Sequence, residues 1–106
     1  MVGGSVPVYE EIVLSLRKLN RIINFDPTTG ILHCEAGCIL EELQNYVGNN
    51  YGYVMPLDLG AKGSCQIGGN LATNAGGIKF IKYNSMHANT LGISAVSASG
   101  ETLSDI

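Results

Sequence analysis

The residues best suited to chemistry lie in one run: Pro56-Leu57-Asp58-Leu59-Gly60-Ala61-Lys62-Gly63-Ser64-Cys65-Gln66-Ile67-Gly68-Gly69-Asn70-Leu71-Ala72-Thr73-Asn74-Ala75-Gly76-Gly77. It holds six of the chain's 14 glycines, one formal anion (Asp58) and one formal cation (Lys62), and its other side chains are small or neutral. Small residues let a backbone come close to a flat or polyanionic ligand, and successive N–H groups beside a helix start line an anion site. Two readings follow: a cradle for a cofactor, or a tight structural connection. The common nucleotide fingerprints are both excluded. Gly60-Ala61-Lys62-Gly63-Ser64 lacks the G-x-x-x-x-G-K-[ST] order of a phosphate loop, and no G-x-G-x-x-G occurs in the chain.

Other candidate groups are isolated. Cys34 and Cys38 straddle a predicted strand-to-helix turn, and the two histidines, His33 and His87, have no ligand-type spacing with a second pair, so no metal centre is expected. Cys38, beside a helix start, is either a thiol of lowered pKa or, more ordinarily, a small buried hydrophobe. His87 could exchange protons, but no carboxylate neighbours it in sequence to set its tautomer, and a surface histidine is the plainer reading. Tyr83 would stack on a planar ligand or close the core; Lys79 and Lys82 would meet a phosphate or stay in solvent.

The elements that must position these groups follow from pattern. Ile12, Val13, Leu14 and Leu16 predict a buried strand within 11–16. Asp26-Pro27-Thr28-Thr29-Gly30 has the makings of a type I turn with a bulge, joining strands at 21–25 and 31–36 in a hairpin with Leu32, Cys34 and Ala36 on one face. Ile39, Leu40, Leu43, Tyr46 and Val47 recur at helical spacing opposite Glu41, Glu42, Gln44 and Asn45, with a stop expected at Gly48-Asn49-Asn50. A short strand is expected over 51–55, a structured loop over 57–67, a short helix over 68–73, and strands at 91–98 and 101–103 around Ser99-Gly100.

Composition sets the outer limits. With 106 residues, 45% apolar and 14% charged, the chain is one globular domain at most. A net charge of −3 argues against a nucleic-acid binder, which needs a basic stripe. No apolar run approaches the roughly 20 residues of a spanning helix, and Met1-Val2-Gly3-Gly4-Ser5 lacks the pattern of a signal peptide, so the chain reads as soluble. Three cysteines, an odd number, suggest reduced thiols. Both ends look cut from something larger.

The run from Pro56 to Gly77, with Met1-Val2-Gly3-Gly4-Ser5-Val6-Pro7 before it and Tyr83-Asn84-Ser85-Met86 after it, resembles the D-2-hydroxyglutarate dehydrogenase family. These are FAD-linked D-2-hydroxyacid dehydrogenases of the vanillyl-alcohol-oxidase flavoprotein superfamily. The likeness also takes in Ala36-Gly37-Cys38, Leu40-Glu41-Glu42-Leu43 and Leu91-Gly92, and so covers essentially the whole chain.

The resemblance implies an α+β fold: the second α+β subdomain of a PCMH-type FAD-binding domain, incomplete, with a mixed or antiparallel sheet and flanking helices. It implies that residues 1–106 are part of that domain and that a C-terminal substrate domain lies outside them. Pro56, Asp58, Gly60, Ala61, Ser64, Ile67, Gly68, Gly69, Asn70, Thr73, Asn74, Gly76 and Gly77 would line the FAD, chiefly its pyrophosphate and flavin ring. Gly3 and Gly4 would be the tail of a first phosphate loop.

The family reaction so implied is hydride transfer from the Cα of a D-2-hydroxy acid, 2-hydroxyglutarate-like, to the flavin. The products are a 2-oxo acid and reduced flavin, which passes electrons to an acceptor protein or quinone. Substrate, metal and base residues would belong to the substrate domain, so no catalytic residue is assigned. A truncated module that keeps the fold without binding FAD is the alternative. The family's locations imply the mitochondrial matrix in a eukaryote and the cytoplasm otherwise. Bare sheet edges would favour self-association.

Two positions depart from the family pattern: Asn84 stands where Gly is usual, and Ala88 does too. A positive φ at Ala88 would strain the loop.

Overall fold

The computed structural model describes residues 6–9, 12–77 and 85–104. Its first hairpin grows from the turn that the sequence marks. Asp26 accepts the Thr28 amide on its side chain at 2.9 Å and the Gly30 amide on its carbonyl at 2.7 Å, while Gly30 takes the left-handed φ of 75° that closes the turn. Strand β1 (Ile22–Asp26) thereby pairs antiparallel with β2 (Ile31–Cys34), in a register that sets Phe25 opposite Leu32. Phe25 is buried, and Leu32 and Cys34 pack toward the core as their alternation predicts.

Helix α1 (Leu40–Tyr51) buries Leu40, Leu43 and Val47. This is the stripe read from the periodicity, and with Phe25, Cys38, Met55 and Leu57 it forms the core. The helix runs through Gly48 and ends at Gly52, whose φ of 73° provides the left-handed stop. The later stop has a physical reason. Tyr51 and Tyr53 pack on the Phe25 ring at centroid distances of 4.7 and 5.2 Å, and Tyr53 donates its hydroxyl to the Pro27 carbonyl, so the aromatic seam holds one further helical turn. For the same reason 51–55 is not a strand: Tyr51 belongs to the helix and 53–55 is irregular backbone.

The predicted strand at 11–16 is also not formed over 12–16. Ile12, Val13 and Leu14 are exposed, and an apolar run makes a strand only where a neighbour pairs with it. Farther along come α2 (Ile67–Ala72), a single 3-10 turn at His87–Asn89, and a second antiparallel hairpin of β3 (Ser94–Val96) and β4 (Thr102–Ser104), turned at Gly100 with φ 87°. The described residues form an α+β fold with two helices and two small antiparallel sheets, in line with the expected class.

Arg21 ties the base of the first hairpin. Its amide and its Nε both donate to Glu35 Oε1, at 2.9 and 3.0 Å. These bonds from Arg21 hold the Glu35 carboxyl below its ordinary range. A depressed carboxyl stabilises the fold above its unfolded pKa, and that contribution disappears as pH falls through the folded value. Glu35→Gln should therefore lower the melting temperature slightly at neutral pH, the exposed guanidinium keeping the effect small. Melting curves of the two proteins should converge once the pH lies below the carboxylate range.

Candidate functional site

The glycine-rich run forms a strap fastened to the core at both ends. Leu57 is buried, and its carbonyl accepts Gln44 Nε2 at 3.0 Å. Asp58 and Gly77 form a parallel bridge that brings the two ends of the strap together. Between them, the Lys62 carbonyl accepts the Glu41 amide at 2.9 Å and the Cys65 carbonyl accepts the Leu40 amide at 3.1 Å. The start of α1 is thus capped by the strap's main chain rather than by a side chain. The start of α2 is treated likewise, with the Ile67 amide on the Cys38 carbonyl and the Gly68 amide on the Ala36 carbonyl, both at 2.8 Å.

That arrangement corrects one expectation. The first amides of both helices are already engaged by the chain's own carbonyls, so the helix starts do not supply the run of N–H donors anticipated from the sequence. The amides of Gly60, Gly63 and Gly69 instead have no backbone acceptor among the described residues.

The glycines of the strap divide into two kinds. A Cβ on Gly68 would lie 2.7 Å from the Ala36 Cβ, and one on Gly77 would lie 2.4 Å from both the Asp58 carbonyl oxygen and Leu59 Cδ2, with φ already at 76°. These two glycines are required by the fold. A Cβ on Gly60 or Gly69 would meet nothing within 4 Å, and neither residue has a positive φ. Gly69 moreover sits inside α2, where glycine costs about 1 kcal/mol relative to alanine. Among the described residues nothing in the packing requires glycine at these two positions.

The remaining predicted residues flank these. Pro56, Asp58 and Gly76 are half-buried, while Ala61 and Ser64 are exposed on the turn, where the Ser64 and Cys65 amides both return to the Ala61 carbonyl. Asn70 is buried with its Oδ1 unpaired among the described residues, a polar atom whose satisfaction calls for a further donor. Thr73 donates its Oγ1 to the Gly69 carbonyl at 3.1 Å, and Asn74 takes a left-handed φ of 53° at the corner after α2. Gly3, Gly4, Lys79, Lys82, Tyr83 and Asn84 lie outside the described residues. Ala88 belongs to the 3-10 turn and has no positive φ, so the strain anticipated there is absent.

His87 is exposed, as the plainer reading of the sequence has it, and its bonds reach back to the end of α2. Its ring Nε2 lies 2.8 Å from the Leu71 carbonyl, and its amide donates to Asn74 Oδ1 at 3.0 Å. Its partner is a carbonyl 16 positions earlier, which no local pattern reveals. A groove of about 540 Å³ runs between α2, at Gly68, Leu71 and Ala72, and the segment from His87 to Ile93. A second, of about 350 Å³, lies over Phe25 and Tyr53 and touches none of the predicted residues.

The thiols belong to the fold. Cys38 is buried and directs its Sγ to the Arg21 carbonyl at 3.4 Å. Burial raises its pKa, which overturns the reading of a thiol activated by the helix start. Burial, and secondarily the adjacent Cys38, pushes Cys34 up to about 12. All three cysteines are free.

The described residues thus form an α+β unit with a glycine strap in which the amides of Gly60, Gly63 and Gly69 meet no backbone acceptor. A family described as FAD binding domain matches residues 1–105, and the chain belongs to that family. FAD is the cofactor that the family's description names. The mitochondrial D-2-hydroxyglutarate dehydrogenases of Rattus norvegicus and Arabidopsis thaliana are 55% and 53% identical over 103 residues, 97% of this chain. That of Danio rerio is 52% identical over the same length. The chain spans about a fifth of these relatives, 19% of the rat and zebrafish proteins and 18% of the plant one.

Proposed function

We propose that this chain is the FAD-binding portion of an oxidoreductase that oxidises a D-2-hydroxy acid, 2-hydroxyglutarate-like, to the 2-oxo acid by hydride transfer to flavin. The observation that carries the reading is the open space at Gly60 and Gly69, glycines that no contact among the described residues requires. The strap fits the cofactor chemically. Bare amides at Gly60, Gly63 and Gly69 would offset pyrophosphate charge without a cluster of cations, and Asn70 Oδ1 supplies a buried acceptor without a donor. Pro56, Asp58, Ala61 and Ser64 would flank one end of the cofactor, and Thr73, Asn74 and Gly76 the other. Gly77 would shape the cradle by closing its two ends at Asp58, and Gly68 by seating α2 against Ala36. Bound flavin supplies the hydride acceptor; these residues bind and orient it.

Residues 1–106 are, on this reading, part of a PCMH-type FAD-binding domain. Substrate recognition and electron transfer to an acceptor protein belong to a further domain, in the mitochondrial matrix if the source is a eukaryote. The β3–β4 hairpin, exposed along both strands, offers edges for pairing with another chain. No helix among the described residues is long and apolar enough to cross a membrane. The alternative, a module that keeps the fold and takes no flavin, is favoured by the engaged amides at both helix starts.

Titration with FAD, followed by flavin fluorescence and thermal melting in parallel, separates the two. Saturable quenching is expected. At free FAD about 100 times Kd the native state gains about 2.7 kcal/mol, which raises the melting temperature by roughly 10–20 °C for a domain of this size. No quenching and no shift up to millimolar FAD would leave the second reading.

A further inference from the structure

We propose that His87 is a positioning residue for the FAD cradle, clamping the corner that follows α2 through its ring and its main chain at once. The inference rests on the FAD reading above and assigns that site one further residue.

The need for a clamp follows from α2 itself. It has six residues, two of them glycine, and a helix so short is not stable on its own. Its carboxyl end turns through Asn74, a non-glycine residue with φ 53°, toward Gly76 and Gly77. Two bonds from His87 close on this corner. The ring Nε2 is 2.8 Å from the Leu71 carbonyl, which also accepts the Asn74 amide at 3.1 Å, and the His87 amide holds Asn74 Oδ1 at 3.0 Å. A carbonyl can only accept, so Nε2 carries the hydrogen. Beside these, the Met86 amide reaches the Ala75 carbonyl at 2.8 Å.

The corner governs the cradle because Thr73 bonds back to the Gly69 carbonyl through both its amide and its Oγ1, each at 3.1 Å. A corner held in one arrangement presents Gly69 and Asn74 in one arrangement. A freed corner populates others, and apparent affinity falls in proportion to the competent fraction.

The test uses the full chain with His87→Ala and His87→Gln, the glutamine amide placing a donor near the position of Nε2. The His87 side chain is exposed, so both variants keep the core. Amide hydrogen exchange at positions 74, 75 and 87, measured against α1 amides as an internal reference, reports the clamp; FAD fluorescence titration reports the cofactor. His87→Ala should speed exchange at these three amides and raise the FAD Kd, each by about tenfold, with α1 unchanged. His87→Gln should recover most of both. Unchanged exchange in His87→Ala, or an unchanged Kd despite faster exchange, overturns the proposal. So does a glutamine variant no better than alanine. A wild-type chain that takes up no FAD overturns the cofactor reading and the positioning role together, whereas binding by wild type with equal binding by His87→Ala sinks the positioning role alone.

Discussion

Gly69→Ala is expected to raise the melting temperature of the flavin-free chain by roughly 4–8 °C and at the same time to weaken FAD binding by at least about tenfold. The two effects have separate origins. Inside α2 an alanine gives up less conformational entropy than glycine, and the added Cβ meets no atom within 4 Å, so nothing opposes the gain of about 1 kcal/mol. That empty space is where the proposed cofactor must come close, and a methyl group there displaces it while leaving the protein better folded. Differential scanning fluorimetry with and without FAD reads both effects in one experiment. A variant that melts higher and binds FAD as well as wild type would show that the opening at Gly69 is not the cradle.

Gly77→Ala should act with the opposite sign on stability. Its φ of 76° lies where a side chain strains the backbone by about 1–3 kcal/mol, and its Cβ would meet both the Asp58 carbonyl oxygen and Leu59 Cδ2 at 2.4 Å. Relief of that overlap requires the Asp58–Gly77 bridge to open, which frees both ends of the strap. A drop in melting temperature of at least roughly 5–15 °C is expected, with FAD binding lost as a consequence of the lost fold. Far-UV circular dichroism during melting checks the first part. An alanine variant as stable as wild type would mean that the bridge is dispensable.

These two glycines show how far the sequence could be read. The run from Pro56 to Gly77 stood out by composition, and the resemblance assigned it to FAD. Type and spacing could not say that Gly68 and Gly77 are glycine for the sake of Ala36, Asp58 and Leu59, nor that no contact among the described residues requires glycine at Gly60 and Gly69. That distinction needs contacts between residues far apart in sequence.

The elements divide in the same way. The α1 stripe and the Asp26 to Gly30 turn are local patterns and were legible. The end of α1 was not, because Tyr51 and Tyr53 answer to Phe25 across the hairpin. Nor was the fate of Ile12, Val13 and Leu14, whose pattern suits a strand but is met by no pairing strand among the described residues. His87 is the exposed histidine the sequence suggested, but its bond to the Leu71 carbonyl was not legible, since any main-chain carbonyl looks alike in sequence.

The capping of α1 by the strap carries a consequence for how the protein is made. The amides of Leu40 and Glu41 find their acceptors at Cys65 and Lys62, more than twenty residues downstream. In a chain emerging from the ribosome, the helix is synthesised before the carbonyls that finish its first turn. Its opening turn therefore waits for the glycine run to arrive, so that the helix start and the strap are completed together. Segment order thus couples the two: a stall in synthesis, or a nick, between the helix and Lys62 would leave a helix with a frayed start as well as a missing strap.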